Sequence, residues 1–173
     1  MPEHYPALFR ISRSEAVVDR WQPGSQSYGY ETFVQRFWDG VLAQFMFSSR
    51  QDTLIRGLVK CEHASFRHQT AQLGIYTSGD IHGTPLPIMA IATFIEFIFE
   101  TFPVRKLYAE VLEFNYPQFS SGEGTFFDLE GRLLNHEIHF GQEWDMLVIA
   151  LSREKWRTRG QPIVRSWRTL RAS

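Results

Sequence analysis

Residues 104–114 read VRKLYAEVLEF, and the fold turns on what they form. Read as a strand, they put Tyr108, Glu110 and Leu112 on one face, because side chains alternate along an extended chain. Upstream, residues 88–102 (IMAIATFIEFIFETF) are the most apolar run of the sequence. They fall short of the roughly 20 residues that span a bilayer and carry Glu96 and Glu100, so they read as a buried helix and not as a membrane segment. Before them, residues 54–61 (LIRGLVKC) and 71–76 (AQLGIY) read as neighbouring strands joined by EHASFRHQT. Further back, Val34, Phe37, Trp38, Val41, Leu42 and Phe45 recur at helical spacing, which predicts a helix over 31–47. Residues 7–12 (ALFRIS) are a short strand candidate, and 21–30 (WQPGSQSYGY) a loop by composition. Downstream, NYPQFSSGEGT is turn-like, while GRLLNHEIHF and EWDMLVIALS read as two strands with FGQ at a hairpin tip. This order of elements predicts an α/β fold with a mixed sheet and helices on its faces.

At 173 residues, 43% hydrophobic and 21% charged, the chain is expected to fold as one domain over 1–157, followed by a basic tail at 158–173. The net charge of −1 hides an asymmetry. Before residue 153 there are 11 Lys and Arg against 18 Asp and Glu, and from Arg153 onward seven against one. Trp156, Ile163, Val164, Trp167 and Leu170 within that basic segment favour packing onto the body or a second copy over nucleic-acid binding. A single cysteine, Cys61, excludes an internal disulfide framework. The start of the sequence lacks the pattern of a signal peptide, and together these features predict a cytoplasmic protein.

The loop at 78–87, SGDIHGTPLP, joins a strand to a helix, a place where unpaired backbone N–H groups commonly hold a phosphate. Pro85 and Pro87 have no N–H to give.

Three spaced blocks carry a resemblance: VRKLYAEVLEFN, FDLEGRLLNHEIHF and EWDMLVIALSREKW. In these and in their order the chain resembles the GNAT superfamily of N-acetyltransferases, its RimJ/RimL-like branch most nearly, over roughly residues 50 to 157. The resemblance implies a central, mostly antiparallel sheet flanked by helices, and acyl transfer from an acyl-CoA to an amine. It further implies that the donor's pantetheine arm lies along residues 72–76, with Leu73, Ile75 and Tyr76 at the donor, and that the diphosphate sits on the following loop near His82, Gly83 and Thr84. Asn115 matches the family's donor-binding asparagine. In the usual loop pattern His82 stands for the Arg or Gln, while Pro85 and Pro87 replace two glycines. The position of the usual thiolate-protonating tyrosine falls on Gly122.

Glu110 is then the candidate general base, through a carboxylate expected to be partly buried on a central strand, and His136 is a second candidate. Cys61 reads as core, and His63 and His68 beside Glu62 read as loop residues and not a metal site, so no metal is expected. Nor does SSGEG stand between a strand and a helix, as a phosphate loop would. Two functions stay open: an N-acyltransferase taking an acyl-CoA or a carrier-protein phosphopantetheine thioester and a small-molecule or peptide amine, or a protein of the same fold that has lost transfer and uses its cleft for ligand binding, another reaction or homodimerisation.

Overall fold

A computed structural model describes residues 2–14, 29–49, 53–81 and 83–172. In chain order the elements are α1 (Tyr5–Ser12), α2 (Tyr30–Arg36), β1 (Val41–Ser48), β2 (Ile55–Ser65), β3 (Thr70–Thr77), α3 (Leu86–Thr101), β4 (Lys106–Leu112), β5 (Asp128–His139), β6 (Gln142–Ser152) and α4 (Gln161–Ala172). The six strands form one sheet in the order β1-β2-β3-β4-β6-β5. Every neighbouring pair is antiparallel except β3 and β4, so the expected mixed, mostly antiparallel sheet is present.

Alternation along β2 feeds two cores. Val59 and Cys61 face the side covered by α3 and α4, where they meet Phe94, Ile95, Ile98, Phe99, Trp156 and Val164. Leu58 faces the other side and joins Tyr76 with Leu8 and Ile11 of α1, backed by Phe33 and Phe37. The basic C-terminal segment thus contributes Val164 to the main core, and Trp167 packs against it.

Two sequence expectations are corrected here. Residues 7–12 belong to a helix, not a strand. Leu8 and Ile11 are three apart, which puts both on one helical face against β2 and β3, where they are buried. Residues 31–47 are not one helix. The helical part closes at Arg36, Gly40 takes a left-handed conformation at φ 66°, and Val41–Ser48 pairs with β2 as a strand. The apolar residues at helical spacing are therefore shared between α2 and a strand with both faces partly covered, and a single period does not describe both. Residues 21–28 of the expected loop lie outside the described residues.

Helix α3 is held at two points. Arg153 donates to the carbonyls of Phe99, Phe102 and Val104, so a cation and its fork of donors serve the helix C-terminus and the turn after it. Glu96, 1% exposed, accepts from Trp156 Nε1 at 2.6 Å and from Gln161 Nε2 at 2.8 Å. These bonds fix the π-helical turn Trp156–Gly160 and the start of α4 against α3. Gly160 must lack a side chain there, since a Cβ would stand 2.2 Å from the Trp156 ring.

Trp156→Phe keeps an aromatic ring but removes the rest of the indole and with it one donor to a buried carboxylate; it is expected to lower stability by about 2–4 kcal/mol. Gly160→Ala overpacks the same turn and is expected to lower it by about 1–3 kcal/mol. Chemical denaturation of the two variants beside the parent checks both values.

Candidate functional site

Strands β3 and β4 pair in parallel only at Thr70, Ala71 and Gln72, opposite Lys106, Leu107 and Tyr108. Beyond that seam β3 continues to Thr77 against β2, and β4 continues to Leu112 against β6. The sheet is therefore two antiparallel halves joined by a three-residue seam and parted past it. Each parted strand presents backbone N–H and C=O groups that its neighbour does not take, and such groups require a partner. Leu73 and Ile75 pack against the main core, and Tyr76 is buried with α1, so what these residues offer to the gap is backbone.

Parallel strands place their C-terminal ends together, and two loops flank the open end. The first follows β3. Ser78 donates from its backbone N–H and its hydroxyl to the Arg56 carbonyl, and the Arg56 guanidinium pairs with Asp80. Thr84 donates from both N–H and hydroxyl to the Ile81 carbonyl. Pro85 is the N-cap of α3 and Pro87 lies in its first turn, so of the positions that normally point N–H groups at an anion only Leu86 and Ile88 carry one. Gly83 is exposed and left-handed at φ 77°. His82 lies outside the described residues. The loop's hydroxyls are tied inward, and its one carboxylate, Asp80, adds negative charge. Among the described residues of the loop, the backbone N–H groups of Leu86 and Ile88 are the donors left at the start of α3.

The second flank follows β4. Here the chain forms 3₁₀ turns over Glu113–Gln118 and Ser120–Gly122, consistent with Pro117, Gly122 and Gly124 opposing a helix. Asn115, 7% exposed, has a side-chain oxygen with no hydrogen-bond partner among the described residues. A buried acceptor left unpaired costs about 1–3 kcal/mol, so a donor from a ligand would be favoured there. An amide N–H of a pantetheine arm fits this requirement. Beside Asn115, Phe114 meets Trp144 and His139 edge-on at 4.9 and 5.7 Å.

Gly122 leaves no room for the missing tyrosine: a Cβ alone would stand 2.8 Å from the Phe127 ring. The phenol present in this segment is Tyr116, which donates to Glu123 at 2.6 Å. Partial burial and then Glu123 push its pKa up to about 12. Both effects make this phenol a weaker acid than an ordinary tyrosine.

Of the two base candidates, Glu110 lies just past the seam on β4, but it is exposed and not partly buried as expected. The cause is its face: it points away from α3, over the gap, where β3 no longer covers it. His136 is exposed on the edge strand β5, and β6 separates it from β4, so it does not join Glu110. Cys61 is fully buried, and burial pushes its thiol up to about 12, which makes it inert. Among the described residues no group of three His, Cys, Asp or Glu is placed to hold a metal. The sequence reading missed Lys60 and Glu62, an ion pair on β2 whose side chains are 17% and 16% exposed.

No family model and no curated protein matches this chain. Solved structures do. Spermidine N-acetyltransferase from Vibrio cholerae, in complex with CoA and spermine, superposes with a TM-score of 0.78 at 17% identity over 90% of this chain and 94% of its own. A ribosomal-protein-alanine N-acetyltransferase from Brucella melitensis gives a TM-score of 0.69 at 18% identity over 88% and 96%. The smu.2055 protein of Streptococcus mutans gives 0.71 at 14% identity over 88% and 95%. The chain therefore has the GNAT acetyltransferase fold. No described helix is long and apolar enough to cross a membrane.

Pro85→Gly combined with Pro87→Gly returns two N–H groups to the start of α3. CoA is expected to bind this variant about tenfold more tightly or better than the parent, at the low end of what two charge-assisted bonds contribute. Isothermal titration with CoA measures it.

Proposed function

We propose that this chain transfers an acyl group from a phosphopantetheine-borne thioester to a small-molecule amine. The observation that carries the reading is the parted seam between β3 and β4, with the unpaired side-chain oxygen of buried Asn115 near its open end. An extended pantetheine arm has alternating amide donors and acceptors suited to pairing with a parted strand edge, much as a peptide adds to a sheet. The thioester supplies an activated acyl carbon.

On this reading the backbone of Leu73, Ile75 and Tyr76 takes the arm, Asn115 accepts one of its N–H groups, and Glu110 receives the proton lost by the amine. The amine nitrogen bonds to the acyl carbon, the carbon–sulfur bond breaks, and the sulfur leaves as a thiolate that takes its proton from solvent. The inward-tied loop with Pro85 and Pro87 favours a donor whose phosphopantetheine is not followed by a diphosphate, as on a carrier protein, over CoA itself. The acceptor side is suited to a small amine; spermine is bound by the Vibrio cholerae protein of the same fold. A thioester donor and the unpaired thiol of Cys61 both fit a reducing cytoplasm.

A second reading, binding of a ligand without transfer, is favoured by Gly122: the resemblance implies the usual proton donor at this position, and a Cβ there would stand 2.8 Å from the Phe127 ring.

Thermal denaturation with acetyl-CoA, S-acetyl-phosphopantetheine and an acylated carrier protein separates these. A donor at about 100 times its Kd stabilises the fold by about 2.7 kcal/mol. The proposal expects a clear rise with the phosphopantetheine donors, a smaller one with acetyl-CoA at equal concentration, and amine-dependent release of free thiol. Stabilisation without thiol release supports the second reading, and no stabilisation by any donor rejects the first.

A further inference from the structure

Strand β5 closes one edge of the sheet, and from Asp128 to Glu143 the hairpin that it forms with β6 exposes every residue but Gly131, Glu137 and His139. Leu129 and Leu133 are among the exposed side chains, and further along Leu134, Ile138 and Phe140 are 73%, 69% and 91% exposed. Both faces of the strand carry them. Leu133 stands opposite Met146, which stands opposite Leu112, so it lies on the face away from α3; Ile138 stands opposite Glu143, on the other face. A sheet strand ordinarily packs at least one face on its own domain. Apolar side chains bare on both faces of one strand mark a surface that another body covers.

The chemistry of the strand narrows what that body is. Its charges are paired within the chain: Asp128 with Lys155, Glu130 with Lys106, and Arg132 with Asp145 and Glu113. A strongly acidic or basic partner gains little from such pairs, whereas a second copy, brought up across a two-fold axis with like facing like, meets them already neutralised. The backbone edge is also interrupted. Leu134, Asn135 and His136 stand opposite Asp145 alone, Asn135 is left-handed at φ 50°, and its N–H donates to the Asp145 carboxylate at 2.8 Å. A bulge of this kind spoils the ladder that an added peptide strand would need, and leaves side-chain packing between folded bodies. No lysine on β5 opposes that packing, as one does on many free edges. A stable dimer takes about 20–30 residues from each copy, and the hairpin with the turns that lead into it, residues 117–143, is of that size.

We infer that two copies of this chain associate about a two-fold axis through the β5–β6 hairpin, with Leu134, Ile138 and Phe140 at the centre of the contact. The hairpin also borders the cleft. From Met146, opposite Leu112, β6 reaches back to Gln142, so the hairpin projects about 13 Å past the end of β4 on the Asn115 flank. There His139 meets the ring of Phe114, the residue before Asn115. A second copy seated on the hairpin therefore walls this flank of the open end, whichever reaction the cleft runs.

Sedimentation of the whole chain over a range of concentrations tests this. The parent is expected to sediment at twice the mass of one chain. Leu134→Asp combined with Phe140→Asp, and Ile138→Lys alone, place charge on the contact at exposed positions; each is expected to weaken self-association about thirtyfold or more, the scale of one central interface side chain lost, while far-ultraviolet circular dichroism stays that of the parent. Phe66→Asp is the control: it makes the same change at a residue 55% exposed in the turn between β2 and β3, and is expected to leave the dimer intact. A parent that stays monomeric at the highest concentration overturns the inference and leaves the hairpin to a different protein. Dimers of the hairpin variants as stable as the parent's, or a dimer weakened equally by Phe66→Asp, overturn it as well.

Discussion

The seam between β3 and β4 is the constraint from which the rest follows. Three residues on each strand pair in parallel, and the strands then leave one another for partners on their outer sides. That geometry needs a helix to carry the chain back from the end of β3 to the start of β4, and α3 does so under the sheet. It also leaves two rows of backbone groups facing a gap, which water or an extended ligand must satisfy. Helix α3 cannot shift to close the gap, because Arg153 grips its last turn and Glu96 is bonded to Trp156 and Gln161. The opening is built in.

The two flanks of that opening differ in chemistry. The Asn115 flank keeps a buried acceptor without a donor, a feature that favours a ligand with an N–H to give. On the β3 flank Ser78 and Thr84 spend their donors on carbonyls of the protein, Asp80 pairs with Arg56, and two prolines stand at the start of α3. Proline suits the first turn of a helix, so the substitution helps α3 begin while it removes anion donors. On the proposed reading the cleft favours an extended polar arm over a diphosphate.

Much of the fold was legible because long elements carry strong signals. The run at 88–102 read as a buried helix, and all of it but Phe102 lies in Leu86–Thr101; the late hairpin turns at Phe140 and Gly141 as its FGQ tip predicted. The failures come from short elements. Leu8 and Ile11 give one helical contact that four apolar letters in ALFRIS disguise as a strand, and Gly40 splits a seemingly periodic run into a helix and a strand. Site residues were legible only as far as local sequence reaches. The prolines of the loop and the glycine at 122 were visible as letters. Glu62 and Lys60 were not recognised as a pair, because their contact depends on β2 continuing past Cys61 to Ser65. Glu110 was placed on the right strand, yet its exposure depends on β3 having already turned away.

The central claim is that the parted strands receive a pantetheine arm without needing a diphosphate site. A crystal structure of the chain with S-acetyl-phosphopantetheine tests it most directly. The account predicts the arm extended between residues 73–77 and 109–112, with one of its amide N–H groups on the Asn115 side-chain oxygen. An arm bound elsewhere, or density in the gap only when a nucleotide diphosphate sits on the amides of Leu86 and Ile88, would contradict it.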